Sequence, residues 1–179
     1  MNSNGAESDR QTSWLAFEAR WHELLGIIPA AAYTCDSNGL ITYFNRLAAA
    51  VWGRVPKLRD DGERYCGSHR LYLSDGTPIR HEQCWMALAI QNGTPYRGQG
   101  IVVERPDGCR TVGEAYSYPL RDDGGQLVGA VTLVADVTTR DASASALQQG
   151  RYLSLPCDAV RAMIEVALSL STRMTFERV

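Results

Sequence analysis

LVGAVTLVADVTTR, residues 127–140, is the stretch whose reading decides the fold. Its two alternating sets are Leu127, Gly129, Val131, Leu133, Ala135 and Val128, Ala130, Thr132, Val134, and neither is polar. A strand that is apolar on both sides is covered on both sides. Behind it, Thr138 or Thr139 can cap a helix whose first turn contains Asp141, a residue suited to the positive end of the helix dipole. The stretch therefore reads as a buried strand running into an outgoing helix, with Asp136, Val137 and Thr138 as the junction.

Working back from this strand, two more precede it. Gly100 to Arg105 and Cys109 to Tyr118 are separated by Pro106-Asp107-Gly108, and Arg121-Asp122-Asp123-Gly124-Gly125 leads on to residue 127. Each connector contains Asp-Gly, which is favoured hairpin chemistry, so the three strands form a meander. Nearer the start, Ala31 to Thr34 and Leu40 to Phe44 are short strands joined by the turn Asp36-Ser37-Asn38-Gly39. Asn45 is placed to cap the helical run from Leu47 to Trp52, and Gly53 to end it. Arg54 to Arg64 is charged, contains Pro56 and Gly62, and reads as loop. A second helix is predicted from about Glu82 to Gln91, closed by Asn92-Gly93. Two strands, a helical middle and three strands predict an α+β fold: a five-stranded antiparallel sheet with helices on one face.

The flanks differ from this centre. Residues 1–12 are polar and read as a disordered tail. Over 13–28, Trp14, Phe17, Trp21, Leu24, Leu25 and Ile28 recur at helical spacing between Ser13 and Pro29, giving an amphipathic helix with an aromatic face. That face either packs on the domain or makes a dimer contact. The sheet domain then occupies 29–140. In the extension 141–179, Val160, Met163, Ile164, Ala167 and Leu168 share one helical face, with Asp158 able to open the helix.

Composition narrows the function classes. The chain has 179 residues, one domain plus extensions, and its 45% hydrophobic and 21% charged residues are those of an ordinary globular protein. The net charge is -2, and the 18 basic residues are scattered, which argues against nucleic acid as a partner. The polar start lacks the apolar run of a signal peptide, and no segment approaches a membrane span. The expectation is a cytoplasmic protein whose five cysteines are reduced thiols or metal ligands rather than a disulfide framework.

The order of these elements resembles a PAS domain. The pieces that carry the resemblance are YTCDSNGLITYFN, ERPDGCRTV and LVGAVTLVADVTTRD, within about Leu24 to Arg140. The middle segment CGSHRLYLSDGTPIRHEQCWMALAI is similar to that of PAS domains placed ahead of bacterial sensor histidine kinases. The resemblance implies a sensory or interaction module with a small pocket between sheet and helices and output through the helix after Asp-Val-Thr. Pocket residues would be the inward-facing Tyr33, Phe44, Leu47, Val51, Trp52, Trp85, Met86, Leu88, Tyr116 and Leu133, each of which also makes a sensible core residue. Too few residues follow Thr138 for a kinase, cyclase, phosphodiesterase or DNA-binding domain, so output is expected through a homodimer or a partner such as a histidine kinase. Two readings stand side by side: a ligand-sensing module, and a protein-interaction module without a ligand.

The sharpest chemical constellation is Cys66-x-x-His69 and His81-x-x-Cys84, with eleven residues between the pairs. Each pair has spacing suited to tetrahedral zinc. The alternative is structural: Cys is often a small buried hydrophobe, and His81 can cap a helix. Haem held by His69 or His81 is not expected, because a lone His is more often structural. Flavin photochemistry is not expected either, since Tyr65-Cys66-Gly67-Ser68-His69 lacks the Asn, Arg and Phe of the light-sensing PAS motif. The run His81-Glu82-Gln83-Cys84-Trp85 starts like a zinc-protease helix but has Trp85 where the second His would stand. No nucleophile elbow or phosphate loop is present, and no enzyme activity is expected.

Overall fold

The computed structural model of the chain describes residues 21–122 and 124–136. They form helix α1 (21–27), β1 (Ala31–Asp36), β2 (Ile41–Phe44), α2 (Arg46–Trp52), β3 (Arg70–Tyr72), β4 (Pro78–Ile79), a single 3-10 turn (His81–Gln83), α3 (Trp85–Asn92), β5 (Tyr96–Glu104), β6 (Arg110–Arg121) and β7 (Leu127–Asp136). All pairings are antiparallel, in the order β2-β1-β7-β6-β5-β3-β4. The described sheet thus has seven strands, not five. The two extra strands are a hairpin within the stretch read as a helical middle, where alternation over only three residues leaves no periodic signal. The second predicted helix is also divided: the backbone is extended at Cys84, which separates the 3-10 turn from α3.

The doubly apolar stretch forms β7, which lies inside the sheet between β1 and β6. Tyr33 stands opposite Thr132 in one ladder and Tyr116 opposite Leu133 in the other. Its apolar character on both sides now has a cause. On one face α2 and α3 cover Ala130 and Val134 together with Tyr33, Trp52, Met86, Ile101 and Val103. On the opposite face α1 brings Trp21 and Leu25 onto Ala32, Tyr116, Val131 and Leu133. Alternate residues of one strand feed two different cores.

Asn45 ties these layers together. Its side-chain oxygen accepts from Ala48 N at 2.9 Å, the N-cap of α2, and from Ala32 N at 3.1 Å in β1. Its amide donates to Leu25 O at 3.0 Å and Ala30 O at 2.8 Å. The predicted cap is thus also the joint between α1, β1 and α2. Gly53 ends α2 with φ at 66°, a left-handed conformation that costs glycine nothing.

The hairpin connectors share one device. The carboxylates of Asp36, Asp75, Asp107 and Asp122 each accept a backbone N–H two residues on, at 2.8–3.0 Å. Aspartate closes such a turn locally, before any long-range contact is made.

Candidate functional site

The region where the resemblance implies a pocket lies between the sheet and α2, α3. Trp52 fills its centre, edge-on to Tyr33 at 5.0 Å and to Phe44 at 5.6 Å between ring centroids. Gly67 lets the incoming backbone lie flat on that indole, because a Cβ there would come within 2.6 Å of Trp52 Cε3. What remains is a cavity of about 10 Å³, bordered by Tyr33, Trp52, Cys66, Cys84, Trp85 and Met86 among others. This is room for about one water molecule. The Trp85 indole N–H is buried and meets no acceptor among the described residues.

Seven of the ten sequence-predicted pocket residues cluster here, six of them as follows: Tyr33, Trp52 and Met86 are buried, and Phe44, Leu47 and Val51 pack against them. Trp85 joins them from the start of α3 and tilts against Tyr96 at 5.7 Å. Leu88 is half-buried and belongs to neither core. Tyr116 and Leu133 lie on the other face of the sheet, beneath α1. From the same strands, Ala115, Thr132 and Val134 border the cavity, and Ala130 packs in the same core. With both alternating sets of β7 apolar, the sequence carries no mark of which set faces α2 and α3.

Cys66, Cys84, Leu71, Ile101 and Val103 also border the interior and were not predicted for it. One signal pointed to Leu71: Ser74-Asp75-Gly76-Thr77 carries the same Asp-Gly chemistry as the other connectors and marks the β3–β4 hairpin on which Leu71 sits.

The four residues with zinc spacing do not assemble as a tetrad. Among the described residues no group of three or more His, Cys, Asp or Glu side chains is placed to hold a metal ion. A serine stands between two of the four: the Cys66 thiol donates to Ser68 Oγ at 3.3 Å, and Ser68 Oγ lies 3.1 Å from His81 Nε2. His69 is exposed, while the Cys84 thiol is buried and directed to Tyr65 O at 3.9 Å. Ser68 thus bridges the thiol of one pair and the imidazole of the other.

The protonation states follow from burial. The Cys84 thiol is pushed up to about 12, first by burial and then by the neighbouring Cys66. Burial also raises Cys66, against the hydrogen bond to Ser68, and holds Cys35 and the Tyr33 phenol well above their ordinary values. These thiols stay protonated, and a protonated thiol is a poor nucleophile. His81 is lowered by burial, with Arg54 and His69 acting in the same sense and Glu82 against it. Its Nε2 and the Ser68 hydroxyl are hydrogen-bonded at 3.1 Å, with the tautomer of the ring setting which of the two donates.

At the far end of the sheet Glu104 is buried among donors. It accepts from Arg110 Nε at 2.8 Å and Tyr72 OH at 3.0 Å, and Arg110 also lies 4.3 Å above the Tyr72 ring. The Arg110 hydrogen bond holds its carboxyl below the usual range. This cluster closes on itself. At the junction, Asp136 ends β7, and Val137 and Thr138 lie outside the described residues, as do the first half of the predicted 13–28 helix and all of 141–179.

No family model and no curated protein matches the chain. Solved structures do. The PAS domain of the fruit-fly ELK potassium channel is 16% identical, with a TM-score of 0.50 over 69% of this chain and 95% of that one. The PAS domain of a Colwellia psychrerythraea protein is 18% identical, with a TM-score of 0.47 over 69% and 99%. That of Bordetella pertussis BvgS is 17% identical, with a TM-score of 0.46 over 75% and 94%. At such identities the likeness is one of fold, and it rests on the ELK channel domain, whose TM-score reaches 0.50. The described part of this chain is folded as a PAS domain.

Proposed function

We propose that the protein is a signalling module of the PAS type that works through contacts with other protein chains, by forming a homodimer or by docking on a signalling partner such as a histidine kinase. The observation that carries this reading is the filled interior. With Trp52, Tyr33 and Met86 in place only about 10 Å³ is left, against the several hundred cubic ångströms of a small-molecule site. Signals then pass between surfaces and β7, whose two faces touch both cores and whose end leads toward residues 137–179. No catalytic step belongs to this reading.

The ligand-sensing version has one observation in its favour, the unpartnered Trp85 indole N–H beside the cavity. A ligand there would have to displace core side chains, so its binding would be coupled to a rearrangement of α3.

Native mass spectrometry of the whole protein taken from cells separates the two. The module reading expects a dimer or a complex with a second protein and no small molecule at stoichiometric occupancy. A retained small molecule, together with concentration-dependent thermal stabilisation by that compound, would replace it with the ligand-sensing version. A monomer at micromolar concentration that captures no partner would sink it.

A further inference from the structure

Between α2 and β3 the chain runs along the free edge of the sheet. β2 is the first strand in the sheet order and pairs with β1, so its other edge is left to this segment. Arg59 N donates to Ile41 O at 2.8 Å, Tyr65 N donates to Gly39 O at 2.7 Å, and Arg64 forms an isolated bridge with Leu40. Past these latches the segment turns inward: Gly67 lies flat against Trp52 and Pro56, and Cys66 beside it is buried. An ion pair between Arg54 and Glu63 joins its two arms. Residues 54–67 thus form a strap over the β2 edge and the Trp52 end of the interior.

Both latches are made from disfavoured backbone. Among the described residues the only non-glycines with positive φ are Arg59, at 57°, and Tyr65, at 66°. Left-handed backbone crowds the Cβ of any L residue, and a bulky side chain there is an outlier. At Tyr65 the chain is tighter still: Cys66 N donates to Arg64 O at 2.8 Å, which closes a three-residue turn of the rare, strained kind. Glycine supplies the room for it, since a Cβ on Gly39 would run into the Tyr65 ring. Strain placed at the two points where a segment is fastened lowers the free energy of releasing it and leaves the strands beneath intact.

We propose that residues 54–67 open as one unit while the sheet and α3 stay folded, uncovering Trp52 and the outer edge of β2. This rests on the reading of the protein as a module that signals through its surfaces, and it adds a second surface state to that module. A partner chain that binds the open state better than the closed one shifts the balance between them. Opening leaves Gly39 O and Ile41 O without their donors. They are two acceptors on one strand edge, spaced to meet alternate N–H groups of an extended segment.

The test is amide hydrogen exchange on the whole protein, read residue by residue by NMR. Arg59 and Tyr65 should be protected equally, within about threefold, and at least about tenfold less than the β1–β7 ladder. Arg59→Gly, at an exposed position, removes the left-handed penalty at one latch, and protection at Tyr65, the other latch, should rise about threefold. Arg59→Val sets a β-branched residue there and should lower protection at Tyr65 by about the same factor. Protection at Tyr65 that ignores both variants, or latch amides that exchange only together with the β1–β7 ladder, would overturn the proposal. Neither result touches the dimer or complex expected of the module reading, which native mass spectrometry decides separately.

Discussion

At the scale of single residues, Asn45 illustrates how one side chain can serve both a local and a global purpose. Its role as N-cap of α2 follows from sequence, since asparagine before an apolar helical run satisfies the free N–H groups of the first turn. Its bonds to Leu25, Ala30 and Ala32 do not follow, because those partners lie 13 to 20 residues away and meet it only after α1 and β1 are packed. Asn45→Ala should therefore cost more than a cap, about 3 kcal/mol, as it strands buried backbone groups. Urea unfolding checks this, and a loss of about 1 kcal/mol, the value of a cap alone, would show the other bonds to be dispensable. His81 is a different case: its spacing from Cys84 suggests a metal ligand, and the fold makes it the partner of Ser68. Its pKa is lowered from 6.5 by burial, so below that value an unfolded chain takes up a proton that the folded one refuses. Stability should decline as the pH falls from the unfolded value through the folded one, and the decline should be shallower in His81→Gln. Urea midpoints measured across that range test it, and identical slopes in the two proteins would remove His81 from the account.

At the scale of elements, turns and long strands were legible and the short hairpin was not. Asp-Gly connectors and asparagine or glycine caps act through their own neighbours, so their chemistry is written in consecutive residues. The pair β3 and β4 has only three and two residues, and is held by β5 alongside it, as in the pairing of Leu71 with Val103. That support comes from a strand more than twenty residues later in the chain. The interior position of β7 also places a demand on one residue. A Cβ on Gly129 would come within 2.1 Å of Cys35 O, a backbone atom of β1 that cannot turn aside. Gly129→Ala should cost about 3 kcal/mol by forcing β1 and β7 apart. Hydrogen exchange should then accelerate in β1 and β2 more than in β5 and β6, and uniform acceleration would mean that the strain is not local.

For the whole molecule, the decisive feature is that a single sheet carries two cores, and that the one facing α2 and α3 is full. Trp52 is only 2% exposed and contacts both Tyr33 and Phe44, so Trp52→Ala should cost about 3–5 kcal/mol and leave a cavity. Added indole should recover part of the thermal stability of that variant and leave the parent unchanged, and equal responses would show that the parent interior already accepts a guest. The sequence by itself determined the α+β class, the strand meander, the caps and the turns, since each of these depends on alternation or on residues a few positions apart. It also determined that β7 is covered on both sides. Tertiary structure alone decided which side meets which partner: Tyr116 and Leu133 turned toward α1, while Ala115, Thr132 and Val134 turned toward the helices. It alone decided that Ser68 stands between Cys66 and His81, and how little space the interior retains. A strand with two apolar faces contains no local mark of inside and outside, and the volume left between packed side chains is a property of all of them together.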